Sequence, residues 1–338
     1  MKTLLTFDYE VFFGENHSNE NDVLFEPTKK LLTIANKHDV KLVFFIDICS
    51  LFAYEKYHQY EYVERFIRQV EEIRNFGHDI QMHFHPHWLD SIYDGVENMW
   101  LHDYKNWSYS DLVDNCDQVK ADAIFDLAQN KFIEIVRKEP VAFRSGGYTI
   151  QPNEKELINT LQSHGYKCDS SVFPLRRFVS NAQYFDYINC PNLNYWRTDT
   201  TSFLNVGESG LVEVPIFALE RNILLSFKYY SLKIINKFCK SKSFSKRGKG
   251  ATLQPESYQS DSFSFSFDMA EMKDKKLIKL LVSDYINKYR NDDQLILNVL
   301  SHPKAMFDES LDVFEWFILY MKKKYNCHFV GFDDLEVY

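Results

Sequence analysis

Apolar positions along the chain fall into two rhythms. Seven short runs are rich in aliphatic and aromatic residues: Lys2–Phe7, Lys41–Ile48, His78–Phe84, Val141–Ser145, Tyr166–Cys168, Leu211–Phe217 and Leu295–Ser301. Some are almost wholly apolar, as in Leu42-Val43-Phe44-Phe45-Ile46. That is the pattern of a strand covered on both faces of a parallel sheet. The stretches between them follow the helical period. Residues 62–75 place Val63, Phe66, Ile67, Val70 and Ile73 on one stripe, and Gly77 follows as a stop. Residues 153–164 read as a helix with Gly165 just beyond it, and 274–290 and 313–325 as two more, each with a lysine cluster. Alternation at this spacing predicts βαβ units around a parallel sheet, and seven of them predict an α/β barrel, open or closed. No internal repeat or clean linker interrupts the pattern, so residues 1–338 read as a single domain.

Two stretches depart from it. Residues 88–115, rich in Asp, Asn, Tyr and Trp, read as a long loop. Residues 221–255 contain nine Lys and Arg and no acid, so the other 30 basic residues face all 48 acids and the rest of the chain carries −18. Leu224, Leu225, Phe227, Ile234, Ile235 and Phe238 interleave with those bases, an amphipathic pattern suited to an anionic membrane surface or a phosphate-bearing substrate. Residues 88–115 and 219–293 are therefore expected to be insertions on the barrel.

Composition narrows the class. Hydrophobic residues at 45% and charged residues at 26% predict a folded chain with a sizeable core. A net charge of −9 disfavours a non-specific nucleic-acid binder. Six scattered Cys with no C-x-x-C pair predict free thiols in a reducing compartment. An acid at position 8 precedes any signal-peptide apolar region, so a cytoplasmic location is expected.

The candidate chemistry gathers at strand ends. Gly77-His78-Asp79-Ile80-Gln81-Met82-His83-Phe84-His85-Pro86-His87-Trp88 holds four His in ten residues. Neutral imidazole is a common ligand for zinc-like ions, and strand alternation turns His83, His85 and His87 to one side until Pro86 breaks it. Asp8 and Glu10 end the first strand, a pair in which one acid can bind a cation while the other takes a proton. Arg144-Ser145-Gly146-Gly147-Tyr148 joins a permanent cation to a turn whose N–H groups can face an anion. Asp169-Ser170-Ser171 and Ser301-His302-Pro303 end two later strands. Chemistry at the ends of several strands is the arrangement of a barrel's C-terminal face.

Taken in order, these segments resemble the polysaccharide deacetylase superfamily, the NodB-homology carbohydrate esterases. The family's motifs are T-F-D-D, H-[ST]-x-x-H, R-x-P-Y and L-x-H. Thr6-Phe7-Asp8, His83 with His87, Arg144 with Tyr148, and Leu300-Ser301-His302 stand in those places. Tyr9 replaces the second family Asp, His85 is an additional imidazole, and Gly146-Gly147 precede Tyr148 where the family has Pro. The resemblance implies a distorted (β/α)7 barrel and metal-assisted removal of an acetyl group from an N-acetylated sugar, polysaccharide or glycolipid intermediate. It implies Glu10, His83 and His87 as ligands of one divalent ion, with zinc favoured and cobalt, nickel or iron as alternatives. Asp8 is then the base, or, alternatively, the acidic metal ligand. Arg144 holds Asp8 ionised, His302 protonates the leaving amine and Asp169 orients His302. Gly147 and Tyr148 offer backbone donors to the oxyanion, and His85 and Trp88 line the substrate site. Two rival readings use the same barrel: hydrolysis of a small cyclic imide or ureide, and sugar binding without catalysis.

Overall fold

Each apolar run becomes a strand of one sheet. A computed structural model describes residues 1–13, 19–180, 182–238 and 258–338. Its central strands are β1 (Lys2–Tyr9), β2 (Val43–Asp47), β3 (Asp79–Phe84), β4 (Ala142–Ser145), β5 (Cys168–Asp169), β6 (Val212–Glu213) and β7 (Ile296–Ser301). They lie in the order β6–β5–β4–β3–β2–β1–β7, all parallel. Around them run α1 (Glu26–Lys37), α2 (Cys49–Lys56), α3 (Tyr60–Asn75), α4 (Tyr109–Asn115), α5 (Gln118–Val136), α6 (Glu154–Ser163), α7 (Ile223–Phe238), α8 (Lys275–Lys288) and α9 (Asp308–Tyr325).

The sheet curls until its two ends meet, but no ladder joins β6 to β7. The seam is held by the Phe217 N–H donating to the Asn298 carbonyl at 2.8 Å and by the Asn298 side chain. Its Nδ2 donates to the carbonyls of Val214 and Pro215 at 3.0 and 3.2 Å and to Ser170 Oγ at 2.9 Å. Its Oδ1 accepts from Thr6 Oγ1 at 3.2 Å. Seven parallel strands closed by one irregular seam form the distorted barrel.

Alternation along the strands sorts the core in two. Leu4, Val43, Phe45, Ala142, Cys168, Val212, Val214 and Ile296 meet inside the barrel, floored by Phe332 and Leu335. Their neighbours Leu5, Phe7, Phe44, Ile46, Met82, Phe84 and Phe143 pack outward under the helices. The inward residues change along the strands: β1 presents Leu4, then Thr6, then Asp8. The barrel is thus greasy at its base, hydroxylated in the middle and charged at its C-terminal mouth. The α3 stripe buries Val63, Phe66, Val70 and Ile73, each worth about 1.5–3 kcal/mol on full burial.

Two expectations change. Residues 88–115 are not an unstructured loop. They contain a short hairpin, Ile92–Asp94 against Met99–Leu101, and α4, whose first turn is closed by a reciprocal Ser108–Asp111 capping box. Residues 219–293 are not wholly an insertion, because α8 buries Leu277, Ile278, Leu281 and Val282 between β6 and β7 as a barrel helix does. The additions are α7 and two small antiparallel pairings, Leu219–Glu220 with Ser264–Phe265 and Gln259–Ser262 with Arg176–Val179. Lys240 and the 242–250 basic run lie outside the described residues.

Asn298→Ala removes the seam's side-chain bonds and leaves buried carbonyls without a donor. The expected loss is about 2–4 kcal/mol, read as a lowered urea midpoint. An unchanged midpoint would show that the seam is held elsewhere.

Candidate functional site

The mouth of the barrel is built by register. Asp47, His83 and Arg144 are consecutive partners across β2, β3 and β4, so their side chains share one face and one level. Asp8 ends the same face on β1, and Glu10 continues the alternation one step past the strand. His302 follows β7 directly.

Arg144 and Asp8 form the innermost pair. Arg144 Nη1 donates to Asp8 Oδ1 at 2.6 Å, and both side chains are buried. Burial pushes the Asp8 carboxyl up. The Arg144 guanidinium, with His83 and His302, outweighs that and holds it below its ordinary value. Asp8 is an anion at neutral pH, aimed at the mouth.

Glu10, His83 and His85 bring three donor atoms within 4.8 Å of one another. His83 Nδ1–H donates to the Arg144 carbonyl at 2.9 Å, which commits that nitrogen and turns Nε2 toward Glu10 Oε2 at 3.2 Å. A second-nitrogen bond to a carbonyl is how metal-binding histidines are oriented. Burial lowers the pKa of His83, but Asp8 and Glu10 overcome it and raise it. For His85 burial dominates, pushing it down to about 4 and leaving the ring neutral at pH 7. His85 Nε2 lies 2.8 Å from the same Glu10 oxygen yet is misaligned for a hydrogen bond, so it is a buried nitrogen without a partner. Two imidazole nitrogens converging on one ionised carboxylate oxygen fit a cation between them. The donor set of two nitrogens and one oxygen suits zinc-like ions.

His87 stands outside this trio, where the resemblance implies a ligand. His85 still follows the strand alternation, whereas Pro86 opens the 3₁₀ turn Pro86–Asp90 and carries His87 away. The His87 ring lies against Trp107 and Trp88 instead, stacked at centroid distances of 4.7 and 5.6 Å. His85 accordingly joins Glu10 and His83 and does not line a substrate surface.

Asp169 does not orient His302. Cys168 points into the barrel with Ala142 and Val212, so Asp169 points out. It accepts from Ser171 N and Oγ at 2.7 and 2.8 Å and stands beside Glu213, its buried register partner on β6. The acid beside His302 is Asp268, 3.9 Å from Nδ1 and held by Ser301 Oγ and the Ala270 N–H. His302 Nε2 stands 3.6 Å from both Asp8 Oδ2 and Glu10 Oε1. With 18% of its side chain exposed, it is more open to solvent than Asp8 or Glu10.

Trp88 is fully buried, and its indole N–H donates to Asp47 Oδ2 at 2.6 Å. It braces the wall and offers no face to a sugar. Gly147 (φ 59°) and Tyr148 (φ 64°) turn the chain sharply after β4. A Cβ on Gly146 would lie 2.4 Å from His85 Nδ1, so this glycine admits the imidazole. The Tyr148 ring packs edge-on to Phe173 at 5.7 Å.

Three residues here escaped the sequence reading. Lys304 Nζ donates to Glu10 Oε1 at 2.7 Å and to the Val11 carbonyl at 3.1 Å. Burial raises the Glu10 carboxyl, but Lys304 and His85 draw it well below the ordinary range. Asp268 lies in a segment taken for an insertion. Glu213 could have been found, because it is an acid inside the apolar run Leu211–Phe217.

No protein-family model matches the chain, and no curated protein matches it. Its structure is similar to those of polysaccharide deacetylases. A protein assigned to that class from Mycobacterium smegmatis is 14% identical, with a TM-score of 0.47, over 98% of this chain and 87% of its own. A polysaccharide deacetylase from Bacillus cereus is also 14% identical, with a TM-score of 0.39, over 98% and 93%. An allantoinase is similar too, at 12% identity and a TM-score of 0.48 over 98% and 88%. All three are distant likenesses.

Two outcomes follow from this geometry. The purified protein is expected to carry about one divalent ion per chain by elemental analysis. His83→Ala and His85→Ala should each lose it, whereas His87→Ala should keep it; loss in His83→Ala and His87→Ala with retention in His85→Ala would restore the other ligand set. The second concerns Glu213, whose carboxyl burial and the neighbouring Asp169 raise well above its ordinary value. A raised acid is protonated in both states below the unfolded pKa, and folding loses stability as pH rises through the folded one. Wild type should therefore lose stability relative to Glu213→Gln from about pH 4.5 upward, with a slope approaching about 1.4 kcal/mol per pH unit. Parallel stability curves for the two proteins would refute the raised carboxyl.

Proposed function

We propose that the chain is a metal-dependent hydrolase that removes the acetyl group from an N-acetylated sugar, as in a polysaccharide or glycolipid intermediate. One observation carries the reading: His302 stands 3.6 Å from each of two carboxylates, one paired with buried Arg144 and one inside a Glu–His–His cluster. A permanent base, a cation site and a solvent-open acid thus share one mouth, the set that amide hydrolysis needs.

Glu10, His83 and His85 would hold the ion. Bound there, a divalent ion supplies Lewis acidity, drawing charge from an acyl oxygen and acidifying a water. The chain's own groups handle the protons. Asp8, kept ionised by Arg144, accepts the proton of the attacking water. His302 gives a proton to the amide nitrogen as the C–N bond breaks, because an amide anion is too poor a leaving group to depart alone. Asp268 faces the other nitrogen of His302 at 3.9 Å. Backbone N–H groups of the Gly147–Tyr148 turn are the proposed donors to the developing oxyanion. The products are acetate and the free amino sugar. The ordered motifs Thr6-Phe7-Asp8, Arg144 and Leu300-Ser301-His302 support a glycan substrate by resemblance.

The test is acetate release from a panel of N-acetylated sugars, run beside cyclic imides and ureides. Asp8→Asn and His302→Gln should each lower kcat/KM about 10²–10⁴-fold while the bound ion stays put; the unfolding midpoint should hold in His302→Gln and fall in Asp8→Asn, which leaves buried Arg144 without its anion. Turnover of a ureide with no acetate from any sugar would replace this reading with a small-amide hydrolase. Full activity in Asp8→Asn would remove Asp8 from the base role.

A further inference from the structure

Helix α7 presents an apolar stripe that nothing among the described residues covers. Ile223, Leu224, Phe227, Tyr230 and Ile234 are 91, 64, 72, 48 and 60% exposed. At 100° per residue they fall within an arc of about 120°. The opposite side holds the helix to the barrel: Leu225 is buried, and Tyr229 stacks on Phe265 at 4.3 Å. Lys228 and Lys233 are exposed and flank the stripe on its two sides. Five large apolar side chains on one free helical face are costly in water, so the face is built to be covered.

Charge identifies the cover. The chain carries −9, yet residues 221–255 hold nine bases and no acid. A partner for this face must be negative and greasy together. A second copy of the chain does not satisfy that. Two-fold pairing would set α7 against α7 and lysine against lysine, with no acid in the segment to relieve them. The described helices include none long and apolar enough to cross a membrane. A stripe with lysines at both margins suits a helix lying in the plane of a lipid surface. Its apolar side chains enter the boundary below the headgroups, and its ammonium groups reach the phosphates.

We propose that the exposed face of α7 docks the protein on an anionic lipid surface. The proposal is independent of the chemistry at the barrel mouth, since none of these residues belongs to that site.

The experiment is flotation of the full-length protein with vesicles of phosphatidylcholine alone or mixed with phosphatidylglycerol. Association should be at least roughly tenfold stronger with the anionic vesicles and should fall as salt rises. Phe227→Glu with Ile234→Glu should abolish it, and Lys228→Glu with Lys233→Glu should erase the anionic preference. Both variants should keep the circular dichroism spectrum and the bound ion of wild type. Should the double glutamate variant not fold, Phe227→Trp provides a second readout: its emission shifts to the blue on adding anionic vesicles if the face inserts. Wild type that stays with the soluble fraction in both mixtures overturns the proposal. So does a wild-type dimer by light scattering that Phe227→Glu with Ile234→Glu dissociates.

Discussion

The barrel is organised around a guanidinium with no exposed surface. Arg144 donates from Nη1 to Asp8 and Thr6, from Nη2 to Ser170 Oγ and from Nε to the Ser170 carbonyl, while its face lies 4.0 Å from the Phe45 ring. A buried charge is tolerated only when paired and hydrogen-bonded in this way, and removing one partner leaves a cost of several kcal/mol. The same bonds continue outward. Ser170 Oγ accepts from Asn298, whose other contacts close the seam between β6 and β7. The group that ionises Asp8 and the groups that shut the barrel are therefore one network. Precision at the mouth is inherited from the closure of the sheet.

Three carboxyl groups surround His83, and the repulsion among them is relieved in a different way at each. Asp8 has Arg144, and Glu10 has Lys304 and two imidazoles. Asp47 has no cation in contact; burial pushes its carboxyl up to about 8, and the Trp88 N–H satisfies one oxygen. At neutral pH Asp47 is mostly protonated and adds little charge beside His83. The surroundings of His83 thus carry two anions from three acids.

Much of this was legible in the sequence, and the limits have physical causes. All seven strands were readable, since residues buried on both faces give continuous apolar runs, and the strand-end clusters marked the mouth. Asp8, Glu10, His83, Arg144 and His302 do meet there. What failed were choices that depend on a single residue's direction. His87 and His85 are equivalent in a motif, and only the turn at Pro86 separates them. Asp169 faces away from His302 because its neighbour Cys168 took the inward place. Lys304 and Asp268 reach the site through turns and packing that no local pattern encodes.

His83 and His85 show how packing alone divides the labour of like residues. Their rings stand 4.7 Å apart, yet their proton affinities move in opposite directions. His83 has anions on two sides. His85 sits against Phe13 and Trp107, over Gly146, where the cost of burying a charge, with repulsion from His83 and Lys304, outweighs the pull of Glu10. In such surroundings charges interact far more strongly than in water. The His85 ring is thus neutral at pH 7, while Glu10 and Asp8 draw a proton more strongly to His83. A cation that displaces that proton meets two imidazole nitrogens and an ionised carboxylate already converged. The burial that lowers the proton affinity of His85 also keeps its ring neutral for such an ion.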